Sequence, residues 1–145
     1  YAWLVQTPQL PEGRIELPLG RHPTERLKMC VRKDGRKAIT TYKIMKSISS
    51  RKSRNFSLAE IKIETGRTHQ IRVHSASLDC PVLGDGKYGG KKAHPFQQRT
   101  RLHLHAYSLR VTFPTGEEKT FTAPLPADME KTFERLAISF DKFQM

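Results

Sequence analysis

The sequence is poor in acidic residues, in cysteine and in long apolar runs, and each shortage removes a class of protein. No run approaches the ~18–20 apolar residues that a membrane-spanning helix needs. No basic stretch followed by an apolar one reads as a secretory leader, and the chain opens on Tyr1 rather than Met. Cys30 and Cys80 are too few for a disulfide framework and read as the buried thiols of a cytoplasmic protein. No serine stands in a Gly-x-Ser-x-Gly elbow, and neither cysteine carries a local nucleophile signature. The run Gly84–Gly90 matches neither the Walker nor the dinucleotide pattern, so it reads as a tight turn that needs glycine dihedrals. There is no internal repeat and no low-complexity tract.

What remains is a basic chain of one-domain size. It has 145 residues, 37% of them hydrophobic and 28% charged, enough for a core and too apolar for wholesale disorder. Lys and Arg total 26 against 14 Asp and Glu, a formal charge of +12. Such an excess repels itself unless a polyanion compensates it, so nucleic acid is the first partner expected and an anionic membrane surface the second.

The pattern predicts one α+β unit, a mixed α/β arrangement with a mostly antiparallel sheet and a few helices. Tyr1–Val5, Arg14–Leu19 and Lys28–Val31 read as short strands. Ala38–Met45 and Leu58–Glu64 read as a hairpin with a long basic tip, Ala59, Ile61 and Ile63 sharing one face. Gly66 breaks the strand, and Thr68 is the expected cap of a helix running to about Leu78. Leu104–Phe113 is expected as one strand, with Tyr107, Leu109, Val111 and Phe113 on one face and Lys119–Ala123 as its hairpin partner. Asp128 opens an amphipathic helix through Met129, Phe133, Leu136, Ala137 and Phe140.

The densest chemistry lies in Glu64–His74. Arg67 stands just before the helix, while His69 and Arg72 are i and i+3 and share a face. Two guanidiniums, an imidazole and a helix N-terminus suit an anion, either a phosphate or a buried carboxylate; Glu64 or another acid is the candidate partner. Asp85 is by composition a candidate catalytic acid and equally a turn-stabilising aspartate. His69, His74, His103, His105 and Cys80 fit no standard zinc spacing and are expected to be hydrogen-bonded structural groups; no metal is expected. Arg51, Lys52 and Arg54, and Lys91, Lys92, Arg99 and Arg101, read as phosphate contacts without sequence readout.

Gly66-Arg-Thr-His-Gln-Ile-Arg-Val-His74, followed by Cys80-Pro-Val-Leu-Gly-Asp-Gly-Lys-Tyr-Gly89, resembles the signature of the RluA/RluC/RluD-type RNA pseudouridine synthases. The flanks agree: Arg21-His-Pro, Lys28-Met-Cys-Val31, Gly35-Arg-Lys-Ala38, Leu102-His-Leu-His-Ala106 and Phe121-Thr-Ala-Pro124 follow the family's order. The resemblance implies a cofactor-free isomerase that detaches a uracil from its ribose, rotates it and reattaches it through carbon. It implies a ribosomal or transfer RNA substrate whose uridine is flipped into a basic cleft. It gives Arg72 the role of partner to the catalytic aspartate and Tyr1 that of a base contact and candidate general base. Leu83 is implied to pack near the base, and Arg67 and His69 to support the site or touch phosphate. The family's nucleophilic aspartate sits in a run like His-Arg-Leu-Asp-x-x-Thr, and none of Asp34, Asp79, Asp85, Asp128 and Asp141 has that context. Tyr1-Ala-Trp-Leu-Val5 resembles the segment that follows the nucleophile, with Trp3 where alanine is usual. The expectation is therefore the C-terminal portion of a catalytic domain, lacking the nucleophile, inactive alone and monomeric when intact. The competing expectation is a non-catalytic RNA-binding module on the same scaffold.

Overall fold

The computed structural model describes residues 1–49, 55–95 and 100–132. Its main sheet is antiparallel, with strand order β1-β6-β5-β2. The strands are β1 (Ala2–Val5), β2 (Glu12–Glu16), β5 (Ile39–Ser49) and β6 (Asn55–Ile63). Two-stranded sheets are formed by β3 (Leu19–Arg21) with β4 (Met29–Val31), and by β7 (Ser108–Thr112) with β8 (Glu118–Thr122). Helix α1 spans Gln70–Ser77, and the one-turn α2 (Gly86–Gly89) runs into a 3-10 turn at Gly90–Ala93.

Strand β1 is apolar at every position because the sheet is covered on both faces there. Trp3 and Val5 join Ile48, Phe56, Leu83 and Met129 in one cluster, while Ala2 and Leu4 join Ala59, Cys80 and Val82 in the other. Alternation by two sends successive side chains to opposite faces, and each face finds a core. The outer edge of β1 is closed by backbone. Leu83 N–H donates to the Trp3 carbonyl at 2.8 Å, and Trp3 N–H donates to the His103 carbonyl at 3.1 Å.

The β5–β6 hairpin is as expected, with Tyr42 opposite Ile61, Ile44 opposite Ala59 and a bulge between Ile44 and Lys46. Its basic tip lies outside the described residues. Ile63 emerges 49% exposed, because β6 outruns the layer that covers Ala59. Two expectations are corrected, the extent of one strand and the cap of the helix. Leu104–Phe113 is not one strand: Leu104 makes a single bridge to Ala2, and β7 begins only at Ser108. The alternation of Leu109 and Phe113 is real but faces outward, Leu109 being 62% exposed opposite Phe121. The helix is capped not by Thr68 but by His69, which sits at φ 53° with no side-chain capping bond. The backbone before it is held instead by Gln70, whose Oε1 accepts from Thr65 Oγ1 at 2.8 Å and Arg67 N–H at 3.0 Å. Of the C-terminal amphipathic stripe, only the part up to residue 132 is described.

Candidate functional site

Helix α1 is set against the sheet by polar bonds. Gln70 Nε2 donates to the Ile39 carbonyl at 2.9 Å and to Thr40 Oγ1 at 3.0 Å. Thr40 Oγ1 lies 2.7 Å from His74 Nδ1, and His74 Nε2 lies 2.9 Å from the Leu17 carbonyl. A carbonyl only accepts, so Nε2 carries the proton and Nδ1 accepts from the Thr40 hydroxyl, which in turn accepts from Gln70. Burial pushes the His74 pKa down, in keeping with this neutral tautomer.

Arg72 faces away from that network and carries the site. Its Nε donates to Asp85 Oδ2 at 3.0 Å and its Nη2 to Asp85 Oδ1 at 2.7 Å. The Asp85 side chain is 0% exposed and the Arg72 side chain 18%. The fork raises the Arg72 pKa further, chiefly through the hydrogen bonds to Asp85. Asp85 also caps α2, accepting from Tyr88 N–H at 3.4 Å. The Tyr88 ring lies under the guanidinium at 5.1 Å. Its hydroxyl accepts from Met29 N–H at 3.0 Å and meets His69 Nδ1 at 2.6 Å. The hydroxyl keeps its own proton while accepting from Met29, so it can donate to an unprotonated Nδ1. Burial, then the charges of Arg72 and Lys87, hold the His69 pKa below its ordinary value.

The chain reaches this arrangement through Gly84, whose φ is +85° and where a Cβ would fall 2.0 Å from the Arg101 carbonyl oxygen. Only glycine fits so close an approach in that conformation. The turn aims Asp85 back at α1.

The anion expected beside Arg72 is therefore a carboxylate, and it belongs to Asp85. Glu64, the acid anticipated from the sequence, pairs with Arg14 at 2.7 Å instead. Arg67 does not join the cluster; its Nε donates to the Lys37 carbonyl at 2.9 Å. Leu83 is fully buried, in one core cluster with Trp3 and Val5. Tyr1 packs its ring edge-on against Tyr107, centroids 5.0 Å apart. It connects to the site through the backbone, as Trp3 pairs with Leu83 two residues before Asp85.

The phosphate-contact candidates fare unevenly. Arg51, Lys52, Arg54 and Arg99 lie outside the described residues. Lys91 is exposed in the 3-10 turn. Lys92 stands in a salt bridge with Asp79 at 2.7 Å, and Arg101 in one with Asp128 at 2.8 Å. The histidines take protein partners: His103 Nε2 lies 2.7 Å from Thr132 Oγ1 and His105 Nε2 lies 3.0 Å from the Ala123 carbonyl. Cys80 is buried and Cys30 only partly so. Tyr88 and Gln70 are the site-building residues that charge and spacing did not single out. The signal available was only their place inside the two motifs.

Comparison with known proteins bears on this arrangement. Residues 1–77 match the family model described as RNA pseudouridylate synthase. The chain is 42% identical over 125 residues to a protein named uncharacterized RNA pseudouridine synthase from Chloroflexus aurantiacus, covering 86% of this chain and 37% of that one. It is 38% identical over 143 residues to ribosomal large subunit pseudouridine synthase D of Pasteurella multocida, covering 91% and 43%. Among solved structures, human RNA pseudouridylate synthase domain containing 1 superposes with a TM-score of 0.71 at 27% identity, over 94% of this chain and 63% of that one. The chain thus spans about two fifths of the length of these curated relatives.

Proposed function

The chain belongs to the RNA pseudouridylate synthase family, and we propose that it forms the C-terminal portion of a catalytic domain that converts uridine to pseudouridine in ribosomal or transfer RNA. The observation that carries this reading is that the two motifs, residues 66–74 and 81–89, meet in space at the Arg72–Asp85 pair. Asp85 is not the nucleophile in this reading. Its carboxylate has no exposed surface and both oxygens are engaged. The other described aspartates also stand in ion pairs: Asp34 with Arg32, Asp79 with Lys92 and Asp128 with Arg101.

Arg72 supplies the chemistry. A guanidinium has five N–H donors, and Asp85 uses the side-on pair, Nε and Nη2. The end-on edge, through Nη1, has no partner among the described residues. A second carboxylate, contributed by a preceding segment of the same protein, docks there. Held ionised by the cation, it is a competent nucleophile. Tyr1 contacts the flipped base, Leu83 backs the floor of the pocket, and His69 lines its rim. The protein acts without a cofactor, as a cytoplasmic monomer.

In the intact protein, Arg72→Met is expected to cut tritium release from 5-tritiated uridine in RNA by roughly 10²-fold or more, the scale of losing a preorganised electrostatic group. Arg72→Lys restores only part, because a point charge lacks the fork. Residues 1–145 alone are expected to release none. Near-normal turnover by Arg72→Met, or by the chain alone, contradicts the reading.

A further inference from the structure

Tyr88 stands at the uncharged centre of the Arg72 site. Its ring packs against the cluster of Leu19, Ala38 and Val73. Its hydroxyl takes the Met29 N–H at 3.0 Å and lies 2.6 Å from His69 Nδ1. The tyrosine and histidine rings meet edge-on, with centroids 5.5 Å apart. The phenolic proton has one acceptor among the described residues, and it is Nδ1. Turned the other way, an Nδ1–H would leave that proton without an acceptor in the protein. The pair therefore fixes the tautomer: Nδ1 accepts, and Nε2 carries the hydrogen of the ring.

His69 is placed in the chain in a way that its helix does not need. It sits at φ 53°, in the left-handed region that side chains seldom adopt, and it makes no capping bond to α1. Its ring is turned to Tyr88 instead. Nε2 has no hydrogen-bond partner among the described residues. Nor is it a buried orphan, since His94 Nδ1 is the one buried side-chain nitrogen or oxygen without a partner among those residues. The Nε2–H is thus open to solvent, beside Arg72, because both groups meet the Tyr88 ring. The charged groups around the imidazole are Arg72 on α1, Lys87 and the Asp85 cap of α2, and Arg21 on β3. Asp85 is already taken by Arg72, so the cations prevail and a second proton on the ring is disfavoured.

We propose that Tyr88 is a positioning residue for the reaction, acting through His69: it presents Nε2–H as a neutral, oriented donor to an acceptor oxygen of the target nucleotide. The inference rests on the RNA-modifying reading above and divides the labour of that site. Arg72 supplies charge, which acts at a distance and with little regard to angle. A neutral N–H supplies direction, because its bond weakens steeply away from linearity. A base that is detached, turned and rejoined has to be held in angle as well as in charge.

The test uses the intact protein and tritium release from a stem–loop RNA carrying 5-tritiated uridine. NMR of nitrogen-labelled histidine rings near neutral pH is expected to show His69 Nδ1 bare and Nε2 protonated in the wild type, and a mixture of tautomers in Tyr88→Phe. Tyr88→Phe keeps the ring beneath Arg72 and is expected to lower kcat about tenfold, the scale of one hydrogen bond, with KM little changed. In a His69→Ala background it should lower kcat no further. Glutamine places its amide where Nε2 stands and asparagine where Nδ1 stands, so His69→Gln should keep most of the activity and His69→Asn should match His69→Ala. Substrates with a methylphosphonate beside the uridine, or a thiocarbonyl in its ring, identify the oxygen: the change that slows the wild type but not His69→Ala has removed the acceptor. An Nδ1–H in an active wild type overturns the proposal. So does a Tyr88→Phe loss of equal size with and without His69, which would make the tyrosine structural only. Equal activity of the Gln and Asn variants overturns it even where Tyr88→Phe fails to fold, as does equal sensitivity of wild type and His69→Ala to every modified substrate. A wild type without turnover overturns the RNA-modifying reading and the proposal together.

Discussion

Asp85→Asn isolates the charge of the buried pair, because asparagine has nearly the same volume and remains a good N-cap for α2. What changes is that an amide N–H group meets Arg72 where an acceptor stood, and the guanidinium loses its counter-charge. Removing one partner of a buried pair costs about 3–5 kcal/mol. The Arg72 side chain keeps 18% of its surface, so water recovers part of that, and a loss of roughly 2–3 kcal/mol is expected. Arg72→Met alone strands the carboxylate of Asp85, which is 0% exposed, and is expected to cost at least as much. The double variant removes both charges and leaves the methionine against Tyr88. It should recover much of the loss, giving a coupling of about 2 kcal/mol between the two sites. Urea unfolding of the intact protein, with the m-value held constant across variants, reads this directly. Additivity within about 0.5 kcal/mol would show that Asp85 acts as a cap and not as Arg72's counter-ion.

Acidification below about pH 6.5 is expected to destabilise the fold, because buried His74 and His103 and the shielded His69 all have lowered pKa values in the folded state. The unfolded chain then binds protons first, so stability is full above about 6.5 and is lost as pH falls toward the lower folded values. His74→Gln should flatten that decline, and a urea midpoint independent of pH across this window contradicts the neutral-histidine network. Gly84→Ala should cost upwards of 3 kcal/mol, an αL penalty of about 1–3 plus overlap with the Arg101 carbonyl. Gly116→Ala, at φ +86° with nothing within 4 Å of the added Cβ, should cost only about 1–2 kcal/mol. Thermal unfolding of the two variants separates them, and equal losses contradict the close-approach reading of Gly84. Gln70→Leu keeps bulk but takes the acceptor from Arg67 N–H and the Thr65 hydroxyl, at about 1–3 kcal/mol per unpaired buried group. A melting temperature within a degree of wild type would contradict that assignment.

The parts of the molecule written in local periodicity were legible from the sequence. The alternation of Ala59 and Ile61 and the β-branched run from Ile39 gave the β5–β6 hairpin, and the spacing of His69 and Arg72 gave an anion-seeking cation. What was illegible depended on the path of the chain between motifs. Asp85 reaches Arg72 only because Gly84 takes a conformation that no pattern of apolar residues announces. Glu64 looked the better partner by proximity in sequence, but strand pairing carries it toward Arg14 on β2. The exposed β7–β8 hairpin shows the converse, since its clean alternation marks an apolar face without saying whether anything covers it. Charge runs are likewise silent about which acids their cations meet. Lys92 and Arg101 have acids that lie 13 and 27 residues away in the chain.

Helix α1 explains why the site is specified so closely despite resting on eight residues. Residues 70 and 74 are i and i+4 and share a face, while residue 72 points nearly the opposite way. The inward face is therefore Gln70 and His74, both polar, with Val73 beside them in the core. Hydrophobic contact alone tolerates rotation and sliding, whereas hydrogen bonds fix both distance and angle. Gln70 and His74 meet at one threonine, Thr40, so the azimuth of the helix is set from β5. That azimuth decides where Arg72 points. Asp85 and Tyr88 then clamp the guanidinium from a second, independently anchored element. Two rigid supports converging on one cation suit a site whose work is electrostatic, because the cation need not reorganise when charge arrives. The same geometry accounts for a conspicuous feature of the motif, a glutamine and a histidine buried in a helix that would hold its place with leucines if packing were all that it had to do.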